Sequence, residues 1–500
     1  MEIYGSTFLL CTPIILLCTH FLLRTLKSNK KRLPPGPTGL PILGSLLSIG
    51  NRPQESLAKL AQTYGPLMTV KFGMLNVVIA SSADMAKEIL QKNDQAFIGR
   101  PSPEAVIAGK HHDMSLLWSS GQSPTWKKLR KICNSQLFTI QRLDTLQELR
   151  HLMMQKMIVR VDEAQETREP LNLEGLAFGT SMNFLSNTLF SGDLYDMKSD
   201  SMRELRELIC ELVDLAIKPN IADYVPFLRP FDPQGVKRDI SVLYDRTHIL
   251  LNDIIEQRIK QRASGTERCG DFLDVLLDGS EENGAENLTH TNIMILLMDL
   301  FVAGTHTTTN TMEWAMAELL HNPPILAKLK QELSNNIPPR KIVQEQDIPQ
   351  LPYLDAIIKE VMRLHPVAPL LIPHQTEQEV EINGYTIPKH TQVFVNVWSI
   401  LRDSAYWDDP TSFKPERFLN SDIDIRGRDC RYIPFGAGRR ICPGMNLAMR
   451  MMSVMLANLV HNFGWELPNG LKPEDVDMTD GFGIALKKLE PLVAIPVYAD

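Results

Sequence analysis

No CxxC pair occurs in the 500 residues, and the seven cysteines (Cys11, Cys18, Cys133, Cys210, Cys269, Cys430 and Cys442) are odd in number and widely spaced. That excludes a disulfide framework and the ligand spacing of a structural zinc site, and it fits a reducing compartment such as the cytosol. An internal repeat and a long low-complexity stretch are also missing. Excess positive charge is lacking too: 52 Lys and Arg stand against 59 Asp and Glu, a net charge of -7. A nucleic-acid footprint would be basic, so no nucleic-acid partner is expected. What the chain does have is apolar content, 44% of its residues, ample for a core that encloses a cofactor.

One uncharged run stands at the start. Ile3 to Leu23 has the length of a bilayer-spanning helix. Arg24, Lys27, Lys30, Lys31 and Arg32 follow it, whereas only Glu2 precedes it. Positive charge stays cytoplasmic, so the body is expected to face the cytosol. A cleaved signal peptide is the rival reading; its basic end would lie on the other side and a small-x-small cleavage site would follow. Residues 1–24 are therefore read as an anchor and 25–44 as a basic stop-transfer followed by a Pro-rich hinge, Leu33-Pro34-Pro35-Gly36-Pro37 onward. Residues 45–500 form the remaining domain.

That domain reads as mainly α with small β-sheets. Thr69 to Ala80 and Glu379 to Val395 carry the β-branched pattern of hairpins. Within Gly265 to Thr289, the polar stretch Asp278-Gly279-Ser280-Glu281-Glu282-Asn283-Gly284 reads as a mobile loop between helices, and the sequon at Asn287 stays unused in the cytosol. Residues 291–320 carry a long helix pattern, about 45 Å if continuous. In its middle Ala303 and Gly304 allow close approach of a ligand. The hydroxyls that follow can bond back to carbonyls and open the helix.

The densest chemistry lies at Phe435-Gly436-Ala437-Gly438-Arg439-Arg440-Ile441-Cys442-Pro443-Gly444. Gly436 and Gly438 permit a tight turn whose amides approach a sulfur. Cys442 stands just before a helical run, Met445 to Phe463, where partial positive charge favours a thiolate. Arg440 is placed to bind an anion. A thiolate is the axial ligand that favours O–O cleavage at iron. Glu360 and Arg363 lie three apart on a helix ended by Pro366, on one face where they can pair.

FGAGRRICPG resembles the Phe-x-x-Gly-x-Arg-x-Cys-x-Gly signature of the cytochrome P-450 superfamily at every fixed position. The resemblance extends from the anchor to about Val497. It implies the cytochrome P-450 fold, preceded by one N-terminal transmembrane helix, and haem b (iron protoporphyrin IX) with Cys442 as the metal ligand. By the same resemblance Trp126 and Arg130, in Trp126-Lys127-Lys128-Leu129-Arg130, face the haem propionates, as does His374. Phe435, Gly438, Arg440 and Gly444 belong to the haem loop. Phe413-Lys414-Pro415-Glu416-Arg417-Phe418 resembles the family element whose arginine, here Arg417, joins Glu360 and Arg363 in a structural triad. Ala303-Gly304-Thr305-His306-Thr307 resembles the oxygen-activation element, in which the threonine (Thr307) and a preceding acid deliver protons. This chain departs there, with His306 in place of the acid. Either the imidazole relays protons or water carries them through Thr307.

The motifs are most similar to plant microsomal members acting on terpenoids and on benzylisoquinoline or tropane alkaloids. The resemblance implies an NADPH-dependent monooxygenase of the endoplasmic reticulum membrane, fed by NADPH-cytochrome P-450 reductase and O2. Lys127, Lys128 and Lys131 are candidates for docking that partner. It hydroxylates a small lipophilic metabolite, the alternative being rearrangement or coupling without oxygen insertion; a haem sensor or electron carrier is the non-enzymatic reading. The pocket is expected along 101–120, 209–216, 299–308, 366–372 and 480–486. Val367, Ala368, Leu370, Leu371, Phe482 and Ile484 make it apolar, and Glu104, Asp113 and Asp214 are candidates to balance an amine.

Overall fold

Proline sets where several helices begin. Pro53, Pro124, Pro323 and Pro352 open the helices Pro53–Tyr64, Pro124–Ile132, Pro323–Asn336 and Pro352–Leu364. The first turn has no use for the N–H that proline lacks. The computed structural model describes residues 32–194, 200–265, 268–281, 288–481 and 486–498. The run Ile3 to Leu23, Phe482, Ile484 and the sequon Asn287 lie outside them. Among the described residues no helix is long and apolar enough to cross a membrane.

The organising element is the long helix His290–His321. Its start is fixed by a reciprocal cap: the Asn292 N–H donates to Thr289 Oγ1 (3.1 Å), and the Thr289 N–H donates to Asn292 Oδ1 (3.2 Å). Its 32 residues span about 48 Å. It is buried on most sides, with Phe301, Trp314 and Leu319 fully enclosed; burying each such side chain contributes about 1.5–3 kcal/mol. Leu173–Phe190 packs along it most extensively, and Pro352–Leu364 and Met445–Asn462 also lie against it.

The sheets are small. β1 (Leu67–Phe72) and β2 (Leu75–Ala80) form the hairpin expected from the pattern, with Thr69 opposite Val78. With β3 (His374–Gln375) and β4 (Gln392–Val395) they make one sheet of order β1-β2-β4-β3, in which β2 and β4 run parallel. The expected hairpin at 379–395 is thereby corrected. Val380–Ile382 and Tyr385–Ile387 pair around Asn383 and Gly384, both at positive φ. Beyond Pro388 the chain leaves that pair, because Val393 and Val395 are buried against β2 instead.

The loop expected at 278–284 is also corrected over its first part, since the helix Phe272–Glu281 runs through Asp278. Arg262 and Arg268 both ion-pair with Asp278, which fixes the acidic end that its composition alone leaves loose.

Glu360, Arg363 and Arg417 come together in one hydrogen-bonded cluster. Arg363 makes two bonds to the Glu360 carboxylate (2.7 and 2.9 Å), and Arg417 Nε donates to Glu360 Oε1 at 3.0 Å. Arg363 also donates to the carbonyls of Leu401 and Pro410, both at 2.8 Å. Glu360 and Arg363 are wholly buried, so the pair ties its helix to two distant connecting segments. Removing one partner strands the other charge. Arg363→Ala is expected to cost about 3–5 kcal/mol, seen as a large fall in thermal midpoint and in recovered haem protein. An unchanged midpoint would show that the pair does not hold these segments.

Candidate active site

The cysteine loop is closed by its own backbone. The Cys442 N–H donates to the Phe435 C=O at 3.0 Å, and Gly436 and Gly438 take φ of 72° and 67°. A Cβ on Gly438 would stand 1.8 Å from the Leu90 carbonyl oxygen, so only glycine fits. Gly444 is less constrained: a Cβ there would make ordinary contacts with Phe138 and the Cys442 Sγ. The N–H groups of Gly444 and Met445 and the Arg130 guanidinium favour a Cys442 thiolate, yet burial outweighs them and the thiol is pushed up. The helix terminus therefore does not create the thiolate alone; a coordinated cation would.

Beside the loop lies a cationic wall. Trp126 and Arg130 sit on one face of Pro124–Ile132, with Lys127 and Lys131 exposed on the other. Arg130 donates to the Ile441 C=O (2.6 Å), next to the cysteine. The Arg440 guanidinium lies 4.5 Å over the Trp126 ring and bonds the Ile98 carbonyl at 3.0 and 3.1 Å. His374 Nδ1 donates to the Phe97 C=O (2.7 Å), which leaves Nε2 as its remaining polar atom. Sequence reasoning missed Arg100, which donates to the carbonyls of Ile372 and Pro373 (2.6 and 2.9 Å).

All five residues line one cavity. Among the described residues Arg100, Arg130 and Arg440 form no ion pair with a carboxylate. Burial lowers Arg100 to about 9, and burial with repulsion from Arg100 and Arg130 lowers Arg440 to about 8. Arg130 is lowered by burial as well. A cofactor carrying two carboxylates would meet this uncompensated charge, so the donor set fits a haem with its propionates on this wall and Cys442 at the iron.

The long helix forms the opposite wall. Ala303 and Thr307, one turn apart, are exposed amid buried neighbours, and both line the cavity. The hydroxyls bond back as expected: Thr305 to the Phe301 C=O (2.9 Å), Thr307 to Ala303 (2.8 Å) and Thr309 to Thr305 (3.0 Å). The helix nevertheless runs unbroken, because these bonds add to the carbonyls without removing the helical ones. Gly304 also lines the cavity, but its missing side chain is matched by Leu185, whose Cδ1 would lie 2.7 Å from a Cβ. That glycine serves helix packing as much as ligand approach. His306 packs against Phe178 (centroids 5.2 Å apart), and its Nε2 is buried without a hydrogen-bond partner among the described residues.

The cavity has about 400 Å³ open to the centre of a water molecule and is mostly apolar. Val367, Ala368 and Leu371 line it as expected. Leu370 does not; it packs with Met68 and Val70 under the sheet. Leu185, Leu189, Leu212 and Met298 add to the apolar lining. The three acids singled out by position are elsewhere. Asp113 and Asp214 are exposed, and Glu104 is buried beside Arg229 at 3.2 Å. Among the described residues the carboxylate that does line the cavity is Asp299, which receives the Ser115 hydroxyl and the Leu116 N–H. Its signal was an acid inside an apolar helical run.

Comparison with known proteins agrees with this geometry. The cytochrome P450 family profile matches residues 34–493. Geraniol 8-hydroxylase of Swertia mussotii is 46% identical over 93% of this chain and 94% of its own length. Drimenol monooxygenase of Persicaria hydropiper is 42% identical over 97% and 96%. A zebra fish cytochrome P450 structure with progesterone superposes with a TM-score of 0.77 at 26% identity, covering 89% of this chain and 99% of that one. With the match running from the Pro-rich segment almost to the C-terminus, the chain belongs to the cytochrome P450 family and is a haem-thiolate monooxygenase.

Proposed function

We propose that this enzyme hydroxylates a small, neutral terpenoid alcohol. The observation that carries the reading is an apolar cavity whose lining carboxylate among the described residues, Asp299, already receives the Ser115 hydroxyl and the Leu116 N–H and is pushed up to about 7 by burial, so that it offers little negative charge. A protonated alkaloid would lack a counter-charge there. The named activities of the geraniol and drimenol relatives point the same way, and nothing in the cavity favours coupling or rearrangement.

When bound, the haem supplies dioxygen activation, the thiolate lending the electron density that favours O–O cleavage. Arg100, Trp126, Arg130, His374 and Arg440 would hold its propionates, and the glycine turn with the Phe435 carbonyl would present Cys442 to its iron. The Thr307 hydroxyl donates to the Ala303 carbonyl at 2.8 Å, which leaves its oxygen free to accept a hydrogen bond from the cavity side. Burial holds His306 below the ordinary imidazole range, so the ring is neutral near pH 7. A neutral ring carries one N–H and one lone pair, and it passes a proton by accepting at one nitrogen and releasing at the other.

The same reading places the enzyme on the endoplasmic reticulum membrane, anchored by residues 1–24 and facing the cytosol. Exposed Leu40, Ile42, Leu47, Met74, Phe227 and Phe231 support it. The Met74 N–H donates to the Tyr224 C=O (2.9 Å), and Gly44 bridges Phe72, so these positions lie on adjoining segments near where the chain leaves the hinge. Electrons come from an NADPH-cytochrome P450 reductase, for which exposed Lys127 and Lys131 offer a cationic face.

Full-length protein in microsomes with reductase is expected to give a substrate-binding spectral shift with geraniol and a product heavier by one oxygen atom. A tertiary-amine alkaloid is expected to give no shift. Tighter alkaloid binding, or a product without added oxygen, would contradict the proposal. Gly438→Ala, which forces a Cβ onto the Leu90 carbonyl, is expected to abolish the thiolate-ligated haem spectrum; full retention would refute the steric argument. His306→Phe is expected to lower product per NADPH by up to about 100-fold and to raise peroxide, with His306→Asp restoring coupling. Because His306 is lowered, wild-type coupling should stay flat between pH 7 and 8 and fall only below the ordinary imidazole pKa of about 6.5. A His306→Phe enzyme with wild-type peroxide yield would show that water alone carries the protons.

A further inference from the structure

On the long helix His306, Asn310 and Glu313 follow one another at spacings of four and three residues, which sets all three on one face. His306 and Glu313 are two turns apart, about 10 Å along the axis. Asn310 and Glu313 are buried, as is His306 Nε2. The helix Leu173–Phe190 meets this face at its start. Phe178 packs on the His306 ring, and Glu174, one turn earlier, lies close enough to act on the Glu313 carboxyl. The strand Lys487–Lys488 also packs against the long helix. Lys487 is exposed, and its charge acts on His306 and Glu313 alike, so it marks where solvent comes nearest to both.

One oxygen of Glu313 is fixed and the other is not. Glu313 Oε1 accepts the Leu492 N–H at 2.8 Å, and the Leu492 C=O in turn accepts the Leu173 N–H at 3.0 Å. No other hydrogen bond to this carboxyl is present among the described residues. Burial pushes it up to about 7; the Leu492 N–H opposes this, Glu174 adds to it, and Lys488 and Lys487 oppose it. The His306 ring moves the other way. Burial lowers it, with Asp214 acting upward and Lys487 downward. Near neutral pH the carboxyl can therefore hold a proton in reserve, and the ring cannot.

We propose that Glu313 is the acid that feeds His306: it takes a proton from solvent beside Lys487 and passes it, through water held by Asn310, to the ring. Each passage moves one proton. The Glu313 O–H bond breaks as one ring nitrogen of His306 gains a proton, the other ring nitrogen releases one toward Thr307, and solvent returns a proton to the carboxylate. The acid missing at position 306 is thus supplied two turns later on the same face. Glu313 acts through His306 and is not among the residues that line the cavity. Anchoring Leu492 is a poor reason by itself for a carboxyl there. A glutamine would accept the same N–H with no charge to desolvate; what a carboxyl adds is a proton to give and regain. The inference rests on the proton relay through His306 and uses the terpenoid reading only to choose a probe.

The test uses full-length protein with reductase, geraniol as probe, and Glu313→Gln, which keeps an acceptor for the Leu492 N–H but cannot give up a proton. Product per NADPH is expected to fall about tenfold, with more peroxide and a larger solvent deuterium isotope effect on product formation. The thermal midpoint and the thiolate-haem spectrum should match wild type, and Glu313→Asp should restore part of the coupling. Asn310→Leu leaves the Leu492 bond in place; it is expected to give the same loss and keeps the test available if Glu313→Gln folds poorly. Added to His306→Phe, Glu313→Gln should change nothing further, as for two residues acting as one unit. A readout without turnover comes from infrared difference spectra of the resting protein, wild type minus Glu313→Gln. A protonated-carboxyl band present at about pH 6 should be gone at about pH 9. Wild-type coupling does not follow that titration, because solvent beside Lys487 restores the proton. Wild-type coupling in both Glu313→Gln and Asn310→Leu, or a carboxyl that does not titrate in this range, would overturn the proposal. If His306→Phe couples like wild type while Glu313→Gln does not, the relay through the ring fails on its own. If wild type leaves geraniol untouched, the terpenoid reading fails separately, and a carboxyl that does not titrate would still overturn the role of Glu313.

Discussion

Three guanidinium groups withdrawn from water around one cavity, with backbone carbonyls as their partners in place of carboxylates, set the constraint on which the rest of this structure depends. Taking an unpaired cation out of water costs several kcal/mol. The carbonyls that partly offset this come from Ile98, Leu116, Ser119, Ile372, Pro373 and Ile441, six residues in connecting chain with no regular structure of their own. The arginines therefore order those segments, and the segments hold the arginines where a dianionic cofactor completes the balance. Cofactor binding and the ordering of the cavity wall are linked equilibria, because a ligand bound only by the folded form stabilises that form.

The two walls divide the chemistry between them. On the cysteine side almost every polar group serves to hold: the turn at Gly436 and Gly438, the carbonyl of Phe435, the arginines, Trp126. On the long-helix side Thr307 is exposed to the cavity and Asp299 lines it, while the His306 ring lies at its edge with Nε2 buried and unpartnered among the described residues. The 115–119 segment joins these walls through a single residue, Leu116, whose N–H meets Asp299 on one side and whose C=O meets Arg440 on the other.

Local chemistry made much of this readable from the sequence. The glycine turn before Cys442, the helix pair Glu360 and Arg363, and the hairpin at 69–80 each depend on neighbours within a few residues, and each forms where its pattern puts it. What stayed hidden depends on partners far along the chain. Arg100 meets carbonyls 272 and 273 residues away, and Asp299 meets Ser115 across 184. Glu104, Asp113 and Asp214 were placed near a cavity by position, but position does not say that Arg229 folds back onto Glu104. Gly304 was read as room for a ligand because the sequence does not show Leu185 filling that room. The helix through Asp278 was missed for the same reason, since its two arginine partners belong to other turns of chain.

The most direct test is the reduced, carbon monoxide-bound absorption spectrum of the full-length protein beside that of Cys442→His. A thiolate pushes electron density onto the iron and an imidazole does not. The wild type should show the red-shifted haem band of thiolate ligation. The variant should keep its haem, still held by the arginine wall, but show the shorter-wavelength band of a histidine-ligated centre. A thiolate-type band that persists without Cys442, or its absence in the haem-loaded wild type, would contradict the assignment of the iron ligand.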